Sequence, residues 1–346
     1  MKALSVIVPS YNMQDYLPQC VESLLGGSDA IEILIVNDGS TDATSVIAHR
    51  YEQENPMVVR VIDKPNGHYG SAVNAGLAAA TGFYVKVVDA DDAADPEGLG
   101  MLLAVLAREM ASGDRAPDLV VNDWVVLGGS ADRPHVCRPP LPPHTRLDAD
   151  SLAAESIRDL CLYAITYRTA LLHEMGYHQT EGVPYTDTEW SVLPMRYVRS
   201  VIHVPQVVVR YRGERPGQTM APETFARDFP VVVGLLERIL SGWREGQERP
   251  LFSQWLVVLL GSIYYMHLAG PVILGRPTPA GDLADFDDRL KAYPDLYRRT
   301  GRLTLSQKLK FHYIREWRRN KTDRTVRFAL WRLYVRCAKL VLRALG

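Results

Sequence analysis

The chain has 346 residues, a formal net charge of −1 and 47% hydrophobic residues, the composition of a soluble globular protein with room for one large domain or two smaller ones. The near-zero total hides an asymmetry: residues 298–346 hold 15 Lys/Arg against 2 Asp/Glu, while the rest holds 24 against 38, so a basic C-terminal segment follows an acidic body and suits an anionic partner. Four scattered cysteines (Cys20, Cys137, Cys161, Cys337) with no C-x-x-C pair exclude a disulfide framework and read as reduced thiols of a cytosolic protein. The N-terminus, MKALSVIVPSYN, lacks the long apolar core and cleavage site of a signal peptide.

In chain order, Leu4–Val8 reads as a first strand stopped by Pro9, and Gln14–Leu25 as a helix with Leu17, Val21, Leu24 and Leu25 on one face. Ile31–Val36 is a second strand running into Asn37-Asp38-Gly39-Ser40, with Ser40 or Asp42 placed to cap the next helix. Val58–Ile62 is a third strand, and a Gly-containing loop leads to a helix from about Ser71 to Gly82. Tyr84–Asp92, YVKVVDADD, is an apolar run ending in Asp89, Asp91 and Asp92. Carboxylates crowded at a strand end repel one another, and Mg²⁺ or Mn²⁺, which takes hard oxygen ligands and shares them with phosphates, resolves the conflict. A solvated turn or helix cap explains a lone D-x-D equally well, since a helix start follows at Asp95-Pro96.

Strand–helix alternation with short links predicts a largely parallel sheet of βαβ units, with helices on both faces. Ligands of such sheets sit beyond the carboxyl ends of the strands at a switch point. Three polar clusters fall there: Pro9–Asn12, Asn37–Ser40 and Asp89–Asp92. Neither G-x-G-x-x-G after the first strand nor G-x-x-x-x-G-K-[ST] occurs, which argues against a dinucleotide-binding dehydrogenase and a P-loop NTPase. A nucleotide whose phosphates are held by an ion remains.

VIVPSYN (Val6–Asn12), VNDGSTD (Val36–Asp42), NGHYGSAVNAG (Asn66–Gly76) and VVDADD (Val87–Asp92) stand in an order and spacing that resembles the family 2 glycosyltransferases over roughly residues 1–220. GVPYTDTEWSVLPM (Gly182–Met195) and YRGERPGQTM (Tyr211–Met220) resemble acceptor-side segments of its bacterial surface- or capsular-polysaccharide members. The resemblance implies a GT-A, Rossmann-like α/β fold over residues 1–220, and helical spacing beyond it gives a smaller all-helical region over 221–346. It implies that Pro9, Tyr11 and Asp38 hold nucleobase and ribose, that Asn66–Gly70 lies beside the nucleotide, that Asp89 contacts ribose and Asp91 the metal, and that Arg215 and Gln218 lie near the diphosphate or acceptor. Most of the family has Glu-Asp where this chain has Thr186-Asp187, so the general base is Asp187 or the nearby Glu189. The implied reaction is a single inverting displacement from a nucleoside diphosphate sugar, with uridine the family expectation. The family's Q-x-x-R-W signature is absent, which favours single addition over polymerisation. A sugar-1-phosphate nucleotidyltransferase would need a Gly-rich basic loop after the first strand, where PSYNMQDY stands. A nucleotide-binding scaffold with a dead site is the non-enzyme alternative.

Lys86 either pairs with a site carboxylate or is exposed. Trp124 and Trp190 read as core, with the option of flooring an acceptor-sugar site, and His68, His178 and His203 as ordinary loop or core histidines. From about residue 222 helical spacing takes over: Phe229–Leu240, Leu251–Leu268 and most of 282–344. Leu251–Gly270 has no Asp, Glu, Lys or Arg. It is long enough to span a bilayer, but its Ser, Gln, Gly and His residues favour a buried or interfacial helix. In the tail, Arg332, Arg336, Lys339 and Arg343 form a basic stripe that suits an anionic membrane surface. Docking on its own domain is the alternative, and no nucleic-acid motif accompanies the charge. The expectation is a peripheral protein of the inner membrane face, acting on a saccharide or lipid-linked saccharide.

Overall fold

The computed structural model describes residues 1–26, 29–128, 134–152, 160–213, 222–269, 279–304 and 312–319. Its elements are β1 (Leu4–Ser10), α1 (Leu17–Leu25), β2 (Ile31–Asp38), α2 (Thr44–Glu54), β3 (Val59–Lys64), α3 (His68–Ala79), β4 (Tyr84–Val87), β5 (Ala93–Ala94), α4 (Pro96–Met110), β6 (Leu119–Leu127), β7 (His135–Cys137), β8 (Arg146–Asp148), β9 (Ile165–Arg168), α5 (Thr169–Glu174), α6 (Asp187–Val192) and β10 (Ser200–Arg212). Helices follow: α7 (Pro222–Ser241), α8 (Pro250–Tyr264), α9 (Leu283–Leu290), α10 (Pro294–Thr300) and α11 (Tyr313–Arg319). Arg215, Gln218 and the basic stripe of the tail lie outside the described residues.

The strands form one mixed sheet in the order β3-β2-β1-β4-β9-β6-β10-β5, with β7 on β6 and β8 on β10. β3, β2, β1 and β4 are mutually parallel. β9 runs against both β4 and β6, and β10 is parallel to β6. The carboxyl ends of β1, β2, β4, β6 and β10 therefore share one edge of the sheet, together with the amino end of β9. The chain leaves β1 toward β2 and returns past it to β4, which places the switch point between β1 and β4.

Alternation along β1 sends Val6 and Val8 toward Leu17, Val21 and Leu24 of α1 and Leu99, Leu102 and Leu106 of α4, all buried in one cluster. Ile7 points to the other face, where α3 comes so near that a Cβ on Gly76 would lie 2.4 Å from Ile7 Cγ2. Asp95 caps α4, accepting from Gly98 N at 3.0 Å, with Pro96 in the first turn, where sequence spacing places that start. Helix α3 begins at His68, one turn earlier than the apolar pattern suggests. No side chain caps α2 at the residue before it, but Asp42 Oδ1 accepts from Thr44 N at 2.9 Å.

Lys86 is neither exposed nor paired with a carboxylate. Burial is nearly complete, and Nζ donates to Asn122 Oδ1 (3.0 Å), Tyr163 O (2.8 Å) and Ile165 O (3.2 Å). The β4–β9 ladder joins Tyr84 to Arg168 and Val85 to Tyr167, and Lys86 spans the opening beyond it. Burial lowers its pKa to about 7. Between that value and the ordinary 10.5, the unfolded chain holds a proton that the fold does not, so this group makes stability rise with pH across that window. Lys86→Met is expected to erase that slope and to lower stability at alkaline pH. Asn122 Oδ1 and Ile165 O lose the Lys86 donor while Tyr163 O keeps Asn122 Nδ2 at 3.1 Å, at a cost of about 1–3 kcal/mol for each acceptor left unsatisfied. Urea unfolding of both proteins across the window measures the difference.

The chain divides into two compact units, Met1–Gln218 with Arg249–Phe252, and Thr219–Glu248 with Ser253–Gly346. In the second unit, Asp287 is fully buried and accepts from Arg318 Nε at 2.6 Å and from the Tyr264 hydroxyl. The region after residue 282 is three short helices among the described residues, broken at Pro294 and after Thr300. Pro250–Leu268 is long and apolar enough to cross a membrane, but 61% of its most apolar window is buried within the protein, as a core helix would be.

Candidate active site

The shared carboxyl edge collects the acidic turn after β4. One oxygen each from Asp89, Asp91 and Asp92 lies within 4.8 Å of the others. Asp91 and Asp92 are buried and Asp89 is half-buried. Asp89 Oδ1 accepts from the Tyr69 hydroxyl at 2.8 Å, a partner the sequence reading passes over. Asp92 Oδ1 accepts from Arg212 N at 2.8 Å, and Arg212 Nε donates to Asp91 O at 3.1 Å. Asp92 Oδ2 is buried with no hydrogen-bond partner. Burial first, then the charges of Asp89 and Asp91, push its carboxyl well above the usual range. Buried, repelling hard oxygens with an orphaned lone-pair site have the chemistry of a divalent-cation donor set.

On the β1–β2 side, Pro9 is buried within its strand and Tyr11 is 46% exposed just beyond it. Asp38 is buried, and its Oδ1 takes Lys64 Nζ at 2.6 Å and Gly67 N at 3.0 Å. Lys64 is a second contact that sequence reasoning misses, although register places it directly opposite Asp38. Asn66 is exposed on the same loop. Asn12 Oδ1 accepts from Thr41 N at 2.8 Å, and Ser40 Oγ from Asn12 N at 3.0 Å, so the turns after β1 and β2 brace each other.

Asp187 opens α6. The segment before it is docked onto α3 by residues of the NGHYGSAVNAG motif. Asn74 Oδ1 accepts from Gln179 N at 2.8 Å, Asn74 Nδ2 donates to Gln179 O at 2.9 Å, and Gly182 N donates to Gly67 O at 2.9 Å. Gly70 is buried against this segment, and a Cβ there would sit 2.0 Å from Thr180 O and 3.1 Å from Thr186 Oγ1. Gly70 thus has a packing reason of its own. Gly70→Ala is expected to destabilise the protein by about 1–3 kcal/mol through overpacking, read as a lower denaturation midpoint at unchanged m-value.

The two candidate bases sit in different surroundings. Glu189 is buried, with Oε2 taking Thr180 N at 2.6 Å and Oε1 taking Thr180 Oγ1 at 2.7 Å. Asp187 is an exposed residue, and the crowding around its carboxyl raises its pKa by desolvation. The Tyr69 phenol is raised well above its usual range, by desolvation first and then by the charges of Asp89 and Asp187. Trp190 is fully buried against Tyr167 and Tyr177. His203 is a core residue between Asp123 Oδ1 (2.8 Å) and Leu141 O (3.0 Å). Trp124 is half-buried.

The model of glycosyl transferase family 2 matches residues 5–118, the stretch that carries Asp38 and the acidic turn. Residues 5–118 are a family 2 glycosyltransferase domain. Relatives of the domain include the chondroitin synthase of Pasteurella multocida, 38% identical over 107 residues, or 31% of this chain and 11% of that protein. The uncharacterized glycosyltransferase EpsJ of Bacillus subtilis is 42% identical over 90 residues, 26% of each chain, and YibD of Escherichia coli is 47% identical over 94 residues, 27% of each. The chain thus matches about a tenth of the synthase and about a quarter of the other two. The crystal structure of S. aureus TarS 1–349 superposes with a TM-score of 0.58 at 20% identity, covering 93% of this chain and 92% of that one. The fold around the family 2 domain is therefore the α/β GT-A architecture.

Proposed function

We propose that this chain is an inverting glycosyltransferase that moves a sugar from a nucleoside diphosphate sugar to a saccharide acceptor for surface polysaccharide synthesis. The observation that carries the reading is the Asp89–Asp91–Asp92 cluster, with the buried, unpartnered Asp92 Oδ2, at the switch point of the sheet. Asp91 and its neighbours would hold Mg²⁺ or Mn²⁺, which when bound stabilises charge on a diphosphate leaving group. Tyr11 offers a stacking face for the base and Asp38 an acceptor for a ring N–H. Lys64 and Gly67 N hold Asp38 in place. Asp89, oriented by the Tyr69 hydroxyl, would contact ribose.

Asp187 would take the proton from the attacking acceptor hydroxyl. Its exposure favours that role over Glu189, whose two oxygens brace Thr180. With one carboxylate as base and no second one needed as nucleophile, a single displacement inverts the anomeric centre. S. aureus TarS has been crystallised with UDP-GlcNAc and with UDP, which makes uridine nucleotides the first donors to test. A lipid-linked acceptor at the inner membrane face accords with the basic tail.

The experiment is a thermal-shift panel of nucleoside diphosphates and their sugars with and without Mn²⁺. A ligand that binds the folded state alone raises Tm by mass action. One nucleotide stabilising only with Mn²⁺ supports the reading and names the base. No shift with any nucleotide in the presence of metal turns the reading to a scaffold.

A further inference from the structure

Three aromatic rings from three separate elements meet on the same edge of the sheet as the carboxylates. Trp124 comes from β6, Tyr163 from the 3-10 turn Leu162–Ala164 that leads into the reversed strand β9, and Tyr211 from the end of β10. Tyr163 and Tyr211 stack with centroids 4.6 Å apart at 30°, and Trp124 lies 5.0 Å from Tyr163 and 6.4 Å from Tyr211. All three are half-buried, with Trp124 and Tyr163 packed against the core beneath them.

The cluster is built into the site. Arg212, next to Tyr211, binds the Asp91–Asp92 turn through its main-chain N and its guanidinium. The carbonyl of Tyr163 is held by two buried donors, Lys86 Nζ at 2.8 Å and Asn122 Nδ2 at 3.1 Å. Tyr163 joins the site through its ring stack on Tyr211, the neighbour of that arginine. Strand order separates this wall from Tyr11 and Asp38. Those belong to the β1–β2 end, the carboxylate turn follows β4, and the rings stand on the β6–β10 side.

We propose that Trp124, Tyr163 and Tyr211 form the stacking wall of a saccharide subsite, receiving the C–H face of a pyranose ring on the side of the carboxylates away from the nucleobase. The assignment rests on the donor-site reading given above, since it takes the β1–β2 end as the place of the base. A pyranose has an apolar C–H face and a polar rim of hydroxyls. Half-exposed rings beside carboxylates match both, the rings by dispersion contact and the carboxylates by accepting hydroxyl hydrogens. In this arrangement Lys86 and Asn122 are positioning residues, which act through the Tyr163 main chain.

Saturation-transfer NMR on the full chain, with a panel of methyl pyranosides in the presence of UDP and Mn²⁺, tests the wall. In the wild type at least one pyranoside is expected to take up saturation on the ring protons of one face. Tyr163→Ser and Tyr211→Ser, made singly, are expected to weaken it by about tenfold, the scale of losing an aromatic anchor. Tyr163→Phe, which keeps the ring, retains it. The UDP-dependent thermal shift, read on the same samples, should persist in every variant and so certifies their folding. Saturation of no pyranoside, or saturation equal in wild type and serine variants, overturns the proposal. Absence of the UDP shift in the wild type overturns the donor reading instead, and the pyranoside signals still judge the wall.

Discussion

Asp187→Asn is expected to lower kcat for sugar transfer by about 10²–10⁴-fold, the usual contribution of a positioned general base, while leaving nucleotide-dependent stabilisation in place. The amide keeps the shape of the side chain and cannot accept the hydroxyl proton. The pH profile carries a second signature. Desolvation raises the Asp187 carboxyl above 3.8, and only its ionised form is a base. The acid limb of kcat/KM should therefore lie above the ordinary aspartate range, falling as pH drops through the raised value, and should vanish in Asp187→Asn. Glu189→Gln provides the contrast. It disturbs the two Thr180 contacts, so its main effect should be on Tm. A profile unchanged in Asp187→Asn and abolished in Glu189→Gln would reverse the two roles.

Much of this site is legible in the chain because its parts are local. Strand–turn–helix alternation through residue 92 is a matter of apolar period and turn chemistry, and it fixes that Tyr11, Asp38 and Asp89 leave their strands at the same edge. What the sequence hides is the far half of the sheet. β9 runs against its neighbours, so Tyr163 reaches the edge from just before its strand, whereas Asp38 and Tyr211 reach it at the carboxyl ends of theirs and Asp89 just beyond. No local pattern announces that reversal. Nor does one reveal that Lys86 faces main-chain carbonyls, because the opening it fills arises from strands far apart in sequence. The NGHYGSAVNAG motif is similar. The family resemblance implies that its Asn66–Gly70 loop lies beside the nucleotide, while the structure adds that Gly67, Gly70 and Asn74 seat the segment carrying Asp187. One stretch of sequence therefore couples the loop beside Asp38 to the candidate base, and a substitution there should disturb both.

Asp91→Asn is expected to abolish the Mn²⁺-dependent thermal shift caused by a uridine nucleotide. A ligand at one hundred times its Kd stabilises by about 2.7 kcal/mol, and for domains of 150–250 residues each kcal/mol moves Tm by about 2–4 °C. The wild-type shift should thus be roughly 5–10 °C, and the variant's within the scatter of the method. The same change has the opposite effect on the metal-free protein. Burial, with the charges of Asp89 and Asp91, holds the Asp92 carboxyl well above 3.8. Above the unfolded value the native state binds a proton that the unfolded chain has released, so metal-free stability falls as pH rises from 3.8 through the raised value. Removing the Asp91 charge relieves part of that repulsion. Metal-free Asp91→Asn should accordingly melt at or above the wild-type temperature at neutral pH, and lose less stability as pH rises. These two signs together separate a ligand site from a structural one: a variant that loses the shift and also melts lower without metal would mean that Asp91 serves the fold, and one that keeps the shift would mean that the cation is held elsewhere.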